Sequence, residues 1–507
     1  MSIALSDGDM GNQESPFETM NHTVTPLNAV TLREMIATRQ LSPVELLEQC
    51  IQRINSFNPA VNAICATDFE RARLAAQQAE AAVMKGEALG LLHGLPVGIK
   101  DLEDTAGLLT TCGNIGLRHH VPTQDALLVQ RLRAAGAIVV VKTNTPDMGA
   151  GANTRNAVWG ATGNPFDPRL NAGGSSGGSA VALATQMLPL ATGSDLGGSL
   201  RIPAALCGVV GMRPSAGVVP SDERPLGFSP LSVLGPMARS VSDVALMLQA
   251  FSGFDARDPL SGARPVSTAA IDLASLRIGF TEDFGCCAVD EDIRRVFRHR
   301  LQNIAPHVAQ CEPVALSLGD ADKAFDILRA EIYLAKHLDR WRESPDSLSP
   351  NVRANMEMAS AFTAMDVAWA HAEQTRLQRA LSVAMQRHDL IIAPVTPVSP
   401  FPWTQLYAEQ VQGQTQRNYY HWLALTYVIT LSSHPALSLP SGRDEQGMPF
   451  GLQLVGRLQG DAALLDAARA LESLLASDAA LAPARPDFAA LQAPRPELKS
   501  IVTHPPY

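Results

Sequence analysis

The residues best placed for chemistry lie between Asn171 and Pro203. The stretch reads NAGGSSGGSA, an apolar helix-compatible run (VALATQML), a short strand (PLATG), and SDLGGSLRIP. Two Gly-Gly-Ser corners therefore flank one helix–strand unit. Glycine lets a backbone turn sharply and approach another group without a Cβ clash. A serine on such a corner reads as a nucleophile, and the free N–H groups beside it as a cradle for negative charge. Gly-Ser runs also serve as linkers and turns. Here apolar, helix-compatible sequence follows each corner, which argues against a flexible linker. No GK[ST] follows the glycines, which argues against a nucleotide P-loop. Two lysines end strand-like runs. Lys100 follows GLPVGI and precedes Asp101 in an apolar neighbourhood, where desolvation would make it functional and exposure would make it a plain surface charge. Lys142 follows AIVVV and reads as a strand-end charge or loop anchor.

The elements that position these residues alternate. Thr31–Glu34 and Ser42–Glu45 fit capping boxes that start two helices, the second with proline at its first position and running to about Phe57. A strand is expected over 62–65, a helix over 69–85, a strand over 95–99, a helix over 123–135 and a strand over 137–141. Strand alternating with helix favours an α/β layered fold. The loop at 148–156 (MGAGANTRN) is rich in small residues and leaves room beside it. Beyond Pro203 the pattern gives a helix from Ser240 to about Phe251 and a strand over 276–280. A mostly helical stretch follows from about 290 to 387, broken near 303–320 and 344–350. Strands are expected at 389–393, 435–439 and 450–455, and a last helix at 461–475. Trp403, Tyr407, Tyr419, Tyr420 and Trp422 read as core packing, with the wall of an apolar pocket as the alternative. Residues 1–27 read as a loose N-terminal tail, 28–480 as one domain with a helical insert, and 481–507 as a proline-rich tail.

Composition narrows the class. The chain has 507 residues, 46% of them hydrophobic and 18% charged, enough for a large core. A net charge of −10 argues against nucleic acid and anionic membrane as partners. The seven cysteines are scattered without CxxC spacing, which suits reduced thiols rather than disulfides or a metal site. No run approaches the roughly 18 apolar residues of a membrane span, and the N-terminus lacks an apolar signal core. A cytoplasmic protein without metal or other cofactor is expected, with monomer and homodimer both open.

Taken together, GLPVGIKD around Lys100, GANTRNAVWGATGNP (151–165), GGSSGGSA (173–180), GSDLGGSLRIPAA (193–205) and GMRPS (211–215) resemble the amidase signature family of serine hydrolases. The resemblance covers residues 28–475, and it is carried by one lysine and two glycine-flanked serines in the family's order. It implies one large domain, a twisted mixed sheet with helices on both faces. It implies Ser199 as nucleophile, Ser175 as bridging serine after a cis Gly174–Ser175 bond, and Lys100 as base. Backbone N–H groups of Leu196, Gly197, Gly198 and Ser199 would form the oxyanion hole.

The chemistry then sets conditions. A lysine acts as a base only when neutral, so its pKa must fall from about 10.4 to about 7–8, roughly 4 kcal/mol of differential stabilisation. Burial beside hydroxyls supplies this and a paired carboxylate opposes it, so Asp101 is expected not to contact the Lys100 amine. Asp195 and Arg201 are expected to be structural, Arg201 locking the two corners together. The pocket loop (Gly149, Ala150, Gly151, Asn153, Thr154) and the aromatic segment 403–422 are expected to set the choice of a small-molecule amide. Esters and carbamates are reachable by the same acyl-enzyme chemistry. A tRNA-dependent amidotransferase subunit is the alternative. That relative usually carries glutamine after the arginine of the second corner, where Ile202 stands. A phosphate-cradling scaffold without enzymatic activity is the third reading.

Overall fold

The computed structural model describes residues 24–506, apart from 263–265, 267–268 and 317. The tail expected over 1–27 lies mostly outside the described residues; at its end Val24 and Thr25 are buried. Helix α1 (Ala29–Ala37) starts earlier than the Thr31 pattern implies, because the Asn28 side chain accepts from the Thr31 N–H. Helix α2 (Pro43–Val61) has the expected reciprocal Ser42–Glu45 cap. It runs past Phe57 and over Pro59, because Phe57, Ala60 and Val61 are all buried on its core face.

Then follow β1 (Ile64–Thr67), α3 (Phe69–Lys85), β2 (Pro96–Lys100), α4 (Leu127–Ala134), β3 (Ile138–Thr143), α5 (Gly177–Ala184), β4 (Leu190–Asp195), α6 (Arg201–Cys207) and β5 (Val210–Arg213). The second half holds β6 (Val233–Ala238), α7 (Val241–Phe251), β7 (Arg277–Phe280), α8 (Glu291–Ile304), β8 (Gln310–Pro313) and α9 (Ala321–Glu343). It closes with α10 (Pro350–Ala361), α11 (Ala364–Ala384), β9 (Leu390–Pro394), α12 (Ala424–Ser432), β10 (Ala436–Arg443), β11 (Pro449–Val455) and α13 (Asp461–Ala476).

Eleven strands form one mixed sheet in the order β1-β3-β2-β4-β6-β5-β10-β11-β9-β7-β8. Strand β2 lies between β3 and β4 and is parallel to both, with Ile99 opposite Lys142 and Val97 opposite Leu190. Alternate residues on these strands feed two cores. Val97, Val139 and Leu190 pack into one, while Ile138, Val140 and Ala191 pack with α5 residues Ala180 and Leu183 into the other. Helices cover both faces.

Three features depart from the sequence pattern. Strand β6 carries Gly235 and Pro236 at its centre and has no strand signature. Glycine is required there, since a Cβ would sit 2.3 Å from the Met212 carbonyl oxygen on the neighbouring strand. The stretch 290–387 is not one helical insert, because β8 joins the sheet parallel to β7 and only α9, α10 and α11 leave it. The proline-rich end is pinned: Leu491 and Leu498 are buried, and the Arg495 N–H donates to the Pro59 carbonyl at 2.9 Å.

Candidate active site

Parallel strands β2 and β4 end side by side, and the site is built on their carboxyl ends. Lys100 is the last residue of β2, and its backbone N–H donates to Thr192 Oγ1 on β4 at 2.9 Å. Its side chain is fully buried. Lys100 Nζ donates to Ser175 Oγ and to Ser194 Oγ, each at 2.8 Å. Ser175 follows a cis Gly174–Ser175 peptide bond on the first corner, just ahead of α5.

Among the described residues, no carboxylate bonds the Lys100 amine. Asp101 accepts instead from the Thr111 hydroxyl at 2.6 Å and from the Thr111 N–H. Burial lowers the Lys100 pKa to about 8; the Glu103 and Asp195 charges pull against that fall, and Lys336 adds to it. At that value a usable fraction of the amine is neutral near pH 7–8, the condition a lysine base must meet.

The second corner is organised around Asp195. Its carboxylate receives the Gly198 N–H at 2.9 Å and the Leu200 N–H at 3.3 Å, and it pairs with Arg201 through two bonds of 2.9 and 3.0 Å. Arg213 adds a second charge partner. Burial pushes this carboxyl up, but Arg201 and Arg213 outweigh it and hold Asp195 well below the usual carboxylate range. Asp195 is thus a fixed anion that shapes the turn. Gly198 adopts φ +124°, and a Cβ there would lie 2.2 Å from Thr426 Oγ1, so only glycine fits.

Arg201 does not lock the two corners to each other. Its remaining donors reach the Thr426 carbonyl, Thr430 Oγ1 and Gln453 Oε1, tying the second corner to α12 and β11. The corners are joined by serines: Ser176 Oγ accepts from the Ser194 N–H at 3.4 Å, and Ser179 Oγ donates to the Thr192 carbonyl at 2.8 Å. Guanidinium length carries Arg201 outward, whereas the short serine side chains fit between closely packed strands.

Ser199 and Ser175 line one cavity of about 150 Å³. Among the described residues no hydrogen bond joins their hydroxyls. The expected oxyanion donors divide. Gly198 gives its N–H to Asp195, whereas the N–H groups of Leu196, Gly197 and Ser199 meet no acceptor among the described residues. Leu196 and Gly197 line the cavity.

The loop expected to bind substrate also divides. Gly149 and Gly151 line the cavity, and a Cβ on Gly149 would lie 3.6 Å from Ser175 Oγ. Ala150, Asn153 and Thr154 do not. The Ala150 carbonyl accepts from Asn351, Asn153 donates to the Trp403 and Gln405 carbonyls, and Thr154 Oγ1 donates to the Gly173 carbonyl. Their polar groups brace the loop instead of facing the cavity. Of the aromatic segment, Tyr419 and Tyr420 line the cavity, while Trp403 and Trp422 are core residues.

Several residues of the site carry no expected role in the sequence. Ser194, the second hydroxyl on Lys100, lies in the GSDLGGS motif at the end of β4 but has no assigned role there. Glu103, with a buried Oε2 that meets no partner among the described residues, lines the cavity, and burial raises its carboxyl to about 7. Helix α9 contributes Phe325, Arg329, Ile332 and Tyr333. The one available signal was an arginine interrupting an apolar face at helical spacing.

The sequence profile described as Amidase matches residues 45–465 of this chain. The chain belongs to the amidase signature family. Its enzyme class is amidase, a hydrolase of amide C–N bonds. An acylamidase of Rhodococcus erythropolis is 33% identical over 455 residues, covering 88% of this chain and 95% of that protein. A glutamyl-tRNA(Gln) amidotransferase subunit from Acaryochloris marina (strain MBIC 11017) is 32% identical over 471 residues, with 87% and 96% covered. Among solved structures, a bacterial aryl acylamidase of the amidase signature family superposes with a TM-score of 0.84 at 27% identity, covering 92% of this chain and 99% of that one. Among the described residues of this amidase no helix is long and apolar enough to cross a membrane.

Proposed function

We propose that this amidase hydrolyses a carboxylic amide through an acyl-serine intermediate on Ser199, with Lys100 as base and Ser175 as proton relay. The observation that carries the reading is the Lys100 amine, fully buried and bonded to two hydroxyls with no carboxylate partner. A hydroxyl both accepts and donates, so a proton can pass through Ser175, which a carbonyl would not allow. Ser199 Oγ attacks the amide carbon as its proton moves to Ser175 Oγ and the Ser175 proton moves to Lys100 Nζ. The carbonyl oxygen gains negative charge beside the Leu196, Gly197 and Ser199 N–H groups. As the C–N bond breaks, the proton returns along the same path to the leaving nitrogen. Water then attacks the acyl-Ser199 by the same route and releases the acid. Aryl and bulky acyl amides suit a cavity with small residues on one wall and aromatic ones on another, and esters and carbamates fit the same acyl chemistry.

Two measurements test this. A serine-directed phosphonate should modify Ser199 and leave Ser199→Ala unlabelled; wild-type protein unreactive from pH 7 to 9 would overturn the nucleophile. A panel of anilide, alkyl amide, ester and carbamate substrates should show turnover that Ser199→Ala abolishes. The second reading, a glutaminase subunit of an amidotransferase, is supported by the 32% identical relative and opposed by Ile202. Free glutamine hydrolysis, or a partner protein that co-purifies with the chain, would favour it.

A further inference from the structure

Arg329 is the feature of the cavity that amide hydrolysis alone does not require. It is 5% exposed and sits on α9 one turn from Phe325 and one from Tyr333. Its guanidinium lies 4.7 Å from the Tyr333 ring centre, 4.9 Å from that of Tyr420 and 5.5 Å from that of Tyr419. It donates to the Tyr333 hydroxyl at 2.9 Å, the Tyr419 hydroxyl at 2.7 Å and Asn355 Oδ1 at 3.1 Å. Among the described residues it has no carboxylate partner and Nη1 donates to nothing. Other deeply buried arginines are compensated differently: Arg201 and Arg213 pair with Asp195, and Arg300 gives its donors to the Ser441 and Arg443 carbonyls.

The donor count is lopsided. Both tyrosine hydroxyls already accept from Arg329, and the Tyr419 hydroxyl also accepts from Asn355 Nδ2 at 2.7 Å. If one hydroxyl donates to the other, one O–H still has no acceptor. Arg329, Tyr333 and Tyr419 line the same cavity as Ser199, and among the described residues one guanidinium nitrogen and one tyrosine O–H of this group have no acceptor. Buried charges are ordinarily paired. Lys336, two turns further along α9 and exposed, also lines the cavity, with Arg224, which pairs with Asp258, and the acidic Glu103 and Glu223.

We propose that Arg329, with Tyr333 and Tyr419, binds a carboxylate carried by the substrate, so that this amidase acts on amides whose acyl or amine part bears a carboxylic acid. Nη1 and the spare tyrosine O–H are donors a carboxylate can accept, while the bonds from Nε and Nη2 and the surrounding rings hold the guanidinium plane fixed. The proposal rests on the Ser199 reading for turnover, and its test has a readout that does not.

The turnover arm compares anilides of α,ω-diacids of three to six carbons with their methyl-terminated counterparts, and N-acetyl aminobenzoates with N-acetyl toluidines. The two series separate a carboxylate on the acyl part from one on the amine. In at least one series kcat/KM should favour the acid by about tenfold or more, and Arg329→Gln should collapse that ratio through KM. A wild-type preference for the neutral member in both series, or a ratio unchanged in Arg329→Gln, would overturn the proposal. The binding arm uses Ser199→Ala and reads thermal stabilisation and calorimetric binding of the same acids against the neutral compounds. Acid-selective binding there supports the carboxylate site even if Ser199 proves not to be the nucleophile; neutral compounds binding as tightly would sink it. Should Arg329→Gln fail to fold, Tyr333→Phe and Tyr419→Phe keep the test open, each expected to lower the acid-to-neutral ratio several-fold, and an unchanged ratio in both overturns it.

Discussion

Lys100 and Lys142 stand at the ends of adjacent parallel strands, in near register, and both are fully buried. Their partners differ. Lys100 Nζ meets the hydroxyls of Ser175 and Ser194, whereas Lys142 Nζ donates to the Glu103 carbonyl and to Thr105 Oγ1. A carbonyl holds an ammonium in place and cannot pass a proton on. Lys142 anchors the loop that follows β2, and its charge draws the Asp101 carboxyl down against the burial that raises it. Burial alone therefore does not mark a base. Lys142 also meets a hydroxyl, but Thr105 gives its proton to the Glu103 carbonyl, whereas the Lys100 hydroxyls of Ser175 and Ser194 open on the cavity that Ser199 lines.

The strongest way to break the contrast is to remove each amine. Lys100→Met should lower amide kcat/KM by about 10³-fold or more, since a positioned base contributes about 10²–10⁴. Retention of most activity at neutral pH would remove lysine from the mechanism. Lys142→Met should instead cost about 1–3 kcal/mol in urea unfolding, because a buried carbonyl loses its donor, while kcat/KM of the folded fraction stays within about tenfold. Equal losses of activity in the two variants would erase the distinction.

The pH dependence sharpens it. Lys100 falls from 10.5 to about 8, equivalent to about 3 kcal/mol. The folded state disfavours the ammonium, so that cost is fully present below pH 8 and disappears as pH rises from 8 to 10.5. Lys100→Met escapes it and should unfold at higher urea than wild type at pH 7, with the gap closing by pH 10. Wild-type kcat/KM should rise about tenfold per pH unit below pH 8 and level off above it. A rate that is flat from pH 6 to 9 would exclude titration of this amine.

Smaller effects belong to its neighbours. Ser194→Ala removes an acceptor that favours the charged amine, so the rate limb should move to lower pH while kcat falls by about tenfold. Glu103→Gln removes a charge that raises the Lys100 pKa, and its limb should move the same way with a smaller loss. A limb that moves toward higher pH in either variant would contradict the placement of these groups.

The fold was legible where periodicity was strong. The β-branched run ending at Lys142, the Ser42 cap and the two glycine corners all announced themselves. Strand β6 did not, since Gly235 and Pro236 are there for close strand contact and not for strand propensity. In the site, the corners and Lys100 carry short-range motifs. Ser194 lies inside the second-corner motif but takes its role from the contact with Lys100, and no local pattern encodes Arg329 and the tyrosines. Small residues at 149–154 point to substrate binding, yet the Asn153 amide N–H groups and the Thr154 hydroxyl donate to the Trp403, Gln405 and Gly173 carbonyls.

Between Pro313 on β8 and Leu390 on β9 the chain makes one excursion from the sheet, and it returns on the other side of β7. That excursion carries Arg329 and Tyr333, while Lys100, Ser175 and Ser199 lie far earlier in the chain. On the proposed roles, the residues that choose the substrate and those that cleave the bond are encoded in separate parts of the chain. A graft of residues 314–389 from a relative would exchange one wall of the cavity as a cassette, without cutting the ladder that aligns β2 with β4.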